Sequence, residues 1–272
     1  MLHGLFKTRL STIQKICLAG LFIAVTTILQ KVLAINYIPI IPFLRISLGG
    51  PAMIIFSSIF LGPVYGLAIG AISDVLGYFL LDPKMMGFLP QITAIYALLG
   101  FVSFFIFWLI KFIKNDKLML IIEGSVFASL IVGVGLFIFL KPNLQLYGST
   151  YTLVLWQKIL IPSLMLVLFS ALFASSILFN KHYKSEKLPI GPIQISFSCF
   201  AIEILVMVLF GTLMKGWAFG FSTFPMIVIC QLIVMFINIP LNAWLIILLL
   251  GITNRYYSSK EMISKSDAYG RR

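Results

Sequence analysis

The chain has 272 residues, of which 61% are hydrophobic and only 10% charged, with a mean hydropathy of +1.09 and a formal net charge of +12. A soluble domain is excluded, because long apolar runs recur from one end to the other. The fold class is all-α: a polytopic helical membrane bundle, read as a single integral membrane domain over 1–272.

In chain order the apolar segments cover 14–34, 49–62, 64–81, 90–110, 118–140, 153–179, 192–214 and 225–251, about eight transmembrane helices. The first run, 16–33, lacks a small-residue cleavage site and precedes further spans, so it reads as a span rather than a signal peptide. The 49–62 segment is short for a span and is expected to pack against its neighbours. Cys17, Cys199 and Cys230 lie in apolar runs without CxxC spacing and read as small buried hydrophobes.

Charge orders these segments across the membrane. With the N-terminus inside, the inner segments hold Lys7, Arg9, Lys15, Lys111, Lys114, Lys117, Lys181, Lys184, Lys187, Arg255, Lys260, Lys265, Arg271 and Arg272. The outer ones hold Lys31, Arg45, Lys84, Lys141 and Lys215. Fourteen against five satisfies the positive-inside rule, so both termini are expected in the cytoplasm, with 252–272 a basic tail. The net charge then follows from topology, and nucleic acid is not an expected partner.

Asp74 stands out because it lies ten residues into the apolar 64–81 segment, which has neither lysine nor arginine. A carboxylate there costs roughly 2.5–3.5 kcal/mol on insertion scales, so a partner or a ligand must offset it. Arg45 is the nearest candidate partner in sequence. Gly66, Gly70, Ser73 and Gly77 recur at helical spacing around Asp74 and make a smooth stripe. In the first span Gly20 and Ala24 form a small-xxx-small pair. It fits internal packing or docking of another membrane protein.

Outer loops are placed at 35–48, 82–89, 141–152 and 215–224, where a ligand would arrive. Trp217 and Phe219 sit there beside Lys215, and read as interfacial anchors or as a stacking surface for a flat ligand. Gln157 and Lys158 fall near the outer end of the sixth segment, where lysine can snorkel. Glu123 is placed near an inner helix end, within reach of headgroups, and Glu203 deeper. Gln231, Asn238 and Asn242 mark the eighth segment around Pro240. Such amides serve interhelical hydrogen bonds or ligand contact.

Several chemistries are missing. There is no GxxxxGK[ST], so the chain has no P-loop. His3 and His182 fall in cytoplasmic segments, which leaves no intramembrane metal or proton site with Asp74. No aspartate pair has the spacing to hold magnesium for phosphoryl transfer. An enzyme, a metal site and a cofactor are therefore not expected. One strong intramembrane carboxylate is thin machinery for ion-coupled transport.

Four motifs in register carry a resemblance: Leu44-Arg45-Ile46-Ser47-Leu48-Gly49, Leu61-Gly62-Pro63-Val64-Tyr65-Gly66, Gly70-Ala71-Ile72-Ser73-Asp74-Val75-Leu76-Gly77 and Gly87-Phe88-Leu89-Pro90. In this order the chain resembles the substrate-binding S components of energy-coupling factor (ECF) vitamin transporters, in the folate-type branch. The likeness covers 14–113 and 195–251. It implies a subunit that captures a vitamin from outside, folate or a related cofactor precursor, for ATP-driven import. The implied partners are a transmembrane coupling subunit and two cytoplasmic ATPase subunits, which would supply the P-loops this chain lacks.

By the same resemblance Gly20 and Ala24 match the coupling-protein face, and Arg45 and Asp74 match polar positions near the binding cavity. Gln231, Val234 and Pro240 occupy the positions of a basic–basic–proline pattern in the last span. Gln231 and Val234 are not cationic, which weakens attraction for an anionic ligand, with Arg45, Lys158 and Lys215 available to compensate. The chain exceeds the six-helix core of the resemblance by one pair, 118–179, which weakly echoes the pair at 192–251; Pro240 favours the latter as completing the core. The expected binding residues are Arg45, Asp74, Phe88, Trp217 and Gln231. A self-sufficient secondary transporter or channel-like protein, and a membrane scaffold, stand as the other classes.

Overall fold

The structure, a computed structural model, describes residues 10–38, 41–47, 49–81, 88–113, 115–140, 143–146, 149–183, 190–220 and 224–269. Lys7, Arg9, Lys84, Lys114, Lys141, Lys184, Lys187, Arg271, Arg272 and the rest of the 82–87 loop lie outside the described residues. Asn36, Tyr37 and Arg45 are described in their backbone only.

Helices dominate: α1 (Thr12–Lys31), α2 (Gly50–Leu61), α3 (Pro63–Leu81), α4 (Pro90–Ile110), α5 (Asp116–Leu140) and α6 (Leu155–Tyr183). Then come α7 (Pro192–Ile202), a π-helical stretch (Glu203–Phe210) and α8 (Gly211–Phe219), which run on as one 28-residue helix. The last is α9 (Phe224–Tyr269). Seven of these rods are long and apolar enough to cross a membrane, which bears out the polytopic helical bundle. Two short antiparallel hairpins, β1 (Ile35–Ile38) with β2 (Ile41–Ile46) and β3 (Asn143–Leu146) with β4 (Ser149–Thr152), link α1 to α2 and α5 to α6. Because successive spans alternate in direction, both hairpins lie at one end of the bundle, here termed the hairpin end.

Local chemistry sets the helix starts. Ser11 Oγ accepts from the Gln14 amide while Gln14 Oε1 accepts from the Ser11 amide, closing a capping box. Proline stands in the first turn of α2, α4 and α7, where no intrahelical donor is lost. Gln157 Oε1 takes the Val154 amide at the start of α6, so this glutamine is a cap rather than a ligand group. Gln194 does the same for Gly191 and also donates to the Ile113 carbonyl, 2.8 Å away, which pins the α4 end to α7.

α2 is the exception among the helices. Its 12 residues are almost all buried, including Ile54, Ile55, Ile59 and Leu61. It shares a tight turn with α3 at Gly62, whose φ of 107° suits only glycine. From that turn α3 rises about 28 Å and α2 about 18 Å, at 1.5 Å per residue. The shorter helix leaves a recess about 10 Å deep at the hairpin end.

Small residues let α3 lie against its neighbours. A Cβ on Gly70 would strike the Tyr96 carbonyl, and one on Gly66 would come within 2.6 Å of the Gly100 carbonyl. Backbone-on-backbone approach of this kind is how helices associate where lipid offers no hydrophobic drive. Thr27 Oγ1 ties α1 to α3 through the Ser73 carbonyl at 3.4 Å. In the C-terminal half Phe127 on α5 centres the packing, with ring centroids 5.0 Å from Phe169, 5.2 Å from Phe200 and 4.7 Å from Phe236. The pair α5–α6 therefore docks on α7 and α9, and Trp244 Nε1 donating to Ser175 Oγ at 2.7 Å adds a polar tie.

Candidate functional site

The recess above α2 opens into a cavity of about 250 Å³. It is lined by Gln30 and Lys31 of α1, Ser47, Asp74 and Tyr78 of α3, Phe88 and Leu89, Ile92, Ile95 and Tyr96 of α4, Met207 of the π-helical stretch, and Lys215 and Phe219 of α8. None of these residues belongs to α5 or α6.

Asp74 is the polar centre. It is 4% exposed, and its Oδ2 accepts from Thr93 Oγ1 at 2.7 Å, across the α3–α4 seam. Its Oδ1 lies 3.8 Å from Lys31 Nζ, with both side chains nearly buried. Lys31 reaches it by lying across Gly77, where an added Cβ would fall 2.7 Å from the lysine Cε. Lys31, on the first span, is thus a cation beside Asp74 that the sequence did not pair with it, while the Arg45 side chain expected there lies outside what is described. The reason is geometric: a lysine at the end of α1 can fold back along a bare glycine face, whereas sequence distance says nothing of that reach.

Phe88 joins Tyr78 and Phe79, with centroids 5.3 and 5.7 Å away, and makes an aromatic wall beside the charged pair. Lys215 and Phe219 face it from α8. The cavity therefore offers flat apolar surface, one carboxylate and two ammonium groups, a combination suited to a small amphipathic molecule.

Other residues singled out in the sequence fall elsewhere. Trp217 is 67% exposed and does not line the cavity; Phe219, two residues on, does. Arg45 pairs with Asn36 across the β1–β2 hairpin through its backbone. Gln231 is buried and does not line the cavity; its Nε2 would lie 3.3 Å from a Cβ on Gly211, a position also 3.8 Å from cavity-lining Ile95. That Nε2 has no hydrogen-bond partner among the described residues. Gly20 has nothing within 4 Å of its Cβ position, and Ala24 is exposed. The small-xxx-small face of α1 thus meets no packing partner among the described residues.

One acid turns out more buried than its position suggested, and a second is as deep as expected. Glu123, expected to reach headgroups, is 1% exposed and accepts from Ser196 Oγ at 3.0 Å. Glu203, equally buried, accepts from Asn242 Nδ2 at 3.1 Å, with the Asn238 side chain close by. A signal for this was present: Glu203, Met207, Gly211 and Lys215 recur every four residues, and Met207 and Lys215 line the cavity. Lys31, Tyr78 and Tyr96, which line the cavity, and Thr93, which bonds Asp74, carried no comparable signal, because each sits near the end of an otherwise ordinary apolar helix. Comparison with known proteins finds no matching family model, no matching curated protein and no matching solved structure.

Proposed function

We propose that this chain is the substrate-binding membrane subunit of an ECF-type importer, capturing a vitamin such as folate or a related cofactor precursor. The observation that carries the proposal is the cavity at the hairpin end, with the Lys31–Asp74–Thr93 cluster beside the Tyr78–Phe88 wall. The ligand stacks on the aromatic wall and presents its polar groups to Asp74 and the two lysines. Buried groups left unpaired cost about 1–3 kcal/mol each, so molecules without matching partners are rejected.

The chain acts by capture rather than by chemistry, in the cell membrane, with both termini in the cytoplasm and the hairpin end outside. Its partners are a transmembrane coupling subunit and two cytoplasmic ATPases. The bare Gly20–Ala24 face of α1 supports docking of the first, since small residues with no internal contact admit a second helix closely. Mass spectrometry of the small molecules released on denaturing the purified chain tests the proposal. A vitamin-class compound near one per chain is expected, with no uptake by the chain alone in liposomes.

A second reading, a self-sufficient secondary transporter, draws support from Glu123 and Glu203, which add two buried intramembrane carboxylates to Asp74. Ion-gradient-driven uptake by the purified chain alone would decide for it and against the importer.

A further inference from the structure

Glu203 has surroundings that ligand capture does not require. It opens the π-helical stretch Glu203–Phe210, a wide-turn conformation often found at functional positions. Opposite it on α9, Asn238 and Asn242 flank Pro240; the Asn242 amide donates to its carboxylate and the Asn238 side chain lies near it. Asn242 is 1% exposed, and its Oδ1 has no hydrogen-bond partner among the described residues. A buried acceptor in that state points to a missing donor.

The ionisable groups around Glu203 are few. Its own helix brings Cys199, a neighbour of both Glu203 and Glu123, and α8 brings Lys215. Lys215 makes no ion pair within 4 Å among the described residues, so its charge acts on Glu203 from a distance. On α9, Cys230 faces Lys215 rather than Glu203, and the residues from 231 to 254 are all non-ionisable. α4 offers only Tyr96, and α5 offers Glu123, held by Ser196 on the row 196, 199, 203 of α7. A carboxylate here has no cation within 4 Å among the described residues.

The amide end of asparagine is nearly symmetric in shape, so a half-turn costs no space. In the present orientation Asn242 donates to an ionised carboxylate. Turned over, its Oδ1 accepts from a carboxylic O–H. Either form of the acid then has a hydrogen bond of the right polarity from Asn242.

We propose that Glu203 is an exchangeable proton site in the bundle interior, with Asn242 as the amide that satisfies it in both states. One proton binds or leaves, and no other bond changes. Because Glu203 shares its helix row with Met207 and Lys215, the proton sets the field at the cavity wall.

Dicyclohexylcarbodiimide, which reacts with protonated carboxyl groups in apolar surroundings, is the probe. The full-length wild-type chain in lipid nanodiscs is treated across about pH 6 to about pH 9 and mapped by peptide mass spectrometry. The expected result is an adduct on Glu203 whose yield falls about tenfold per pH unit above its midpoint. Asn242→Leu removes a partner of both forms, and because the bond to the ionised form is the stronger one, the midpoint is expected to move upward. No adduct at Glu203 at any pH, a yield independent of pH, or a midpoint unmoved in Asn242→Leu would overturn the proposal. The central measurement needs no substitution, so a misfolded variant does not rescue it. It also uses no vitamin and no partner subunit, so its failure and that of the importer reading are separable.

Discussion

At the residue scale, the Lys31–Asp74 pair explains how a carboxylate persists in the middle of α3. The Thr93 hydroxyl and the lysine ammonium offset its desolvation, and Gly77 provides the track along which Lys31 reaches it. Removing either one leaves the other's charge less well compensated in a buried site, so Asp74→Ala and Lys31→Ala are each expected to lose about 1–3 kcal/mol. Lys31→Met with Asp74→Leu removes both charges and is expected to be closer to wild type than either single change. Thermal unfolding in detergent measures both, and the amount of co-purifying small molecule measured beside it separates the roles. A less stable Asp74→Ala protein that keeps its small molecule would make Asp74 purely structural.

The residue scale is also where the sequence was least legible. Asp74 was visible because a charge breaks an apolar run, and the run itself is obvious. Its partner was not, because hydropathy records which residues are apolar and not which way a four-carbon stem folds. Trp217 and Phe219 show the same limit: both sit at one helix end, and only the rotation of α8 decides which ring meets the cavity.

At the scale of elements, legibility is much better. Every apolar run became a helix, and the short 49–62 segment became the buried α2. Length in a membrane is a hard constraint, since backbone groups must be bonded within the segment. The π-helical stretch was not legible, because composition there is as apolar as in its neighbours and only packing against α9 and α4 distinguishes it. Glycines separate clearly at this scale. Gly70→Ala drives a methyl group into the Tyr96 carbonyl and is expected to part α3 from α4, costing upwards of about 2 kcal/mol. Gly133→Ala meets nothing within 4 Å and is expected to stay within about 0.5 kcal/mol of wild type. A chemical or thermal melt of the two variants side by side checks the contrast.

At the scale of the whole molecule, the bundle divides its labour. α1, α3, α4, the π-helical stretch and α8 line the cavity, while α5, α6, α7 and α9 pack around Phe127, with Glu123 on α5 and the asparagines that meet Glu203 on α9. The orientation argued from charge makes a direct prediction. In intact cells stripped of their wall, trypsin is expected to leave Lys260 and Lys265 uncut, and to cleave them only after the membrane is permeabilised. Cleavage in sealed cells would invert the topology.

The last helix carries a mechanical consequence. α9 runs unbroken for 46 residues, about 69 Å, although a bilayer core is only about 30 Å thick. It is therefore a lever as well as a wall: its middle holds Asn238 and Asn242 against Glu203, and its far end stands clear of the lipid. A tilt of 10° about the hairpin end would sweep that far end through about 12 Å, whereas displacements beside the cavity would be several times smaller. A fluorophore or spin label on the distal turns would thus amplify motions too small to see where they begin.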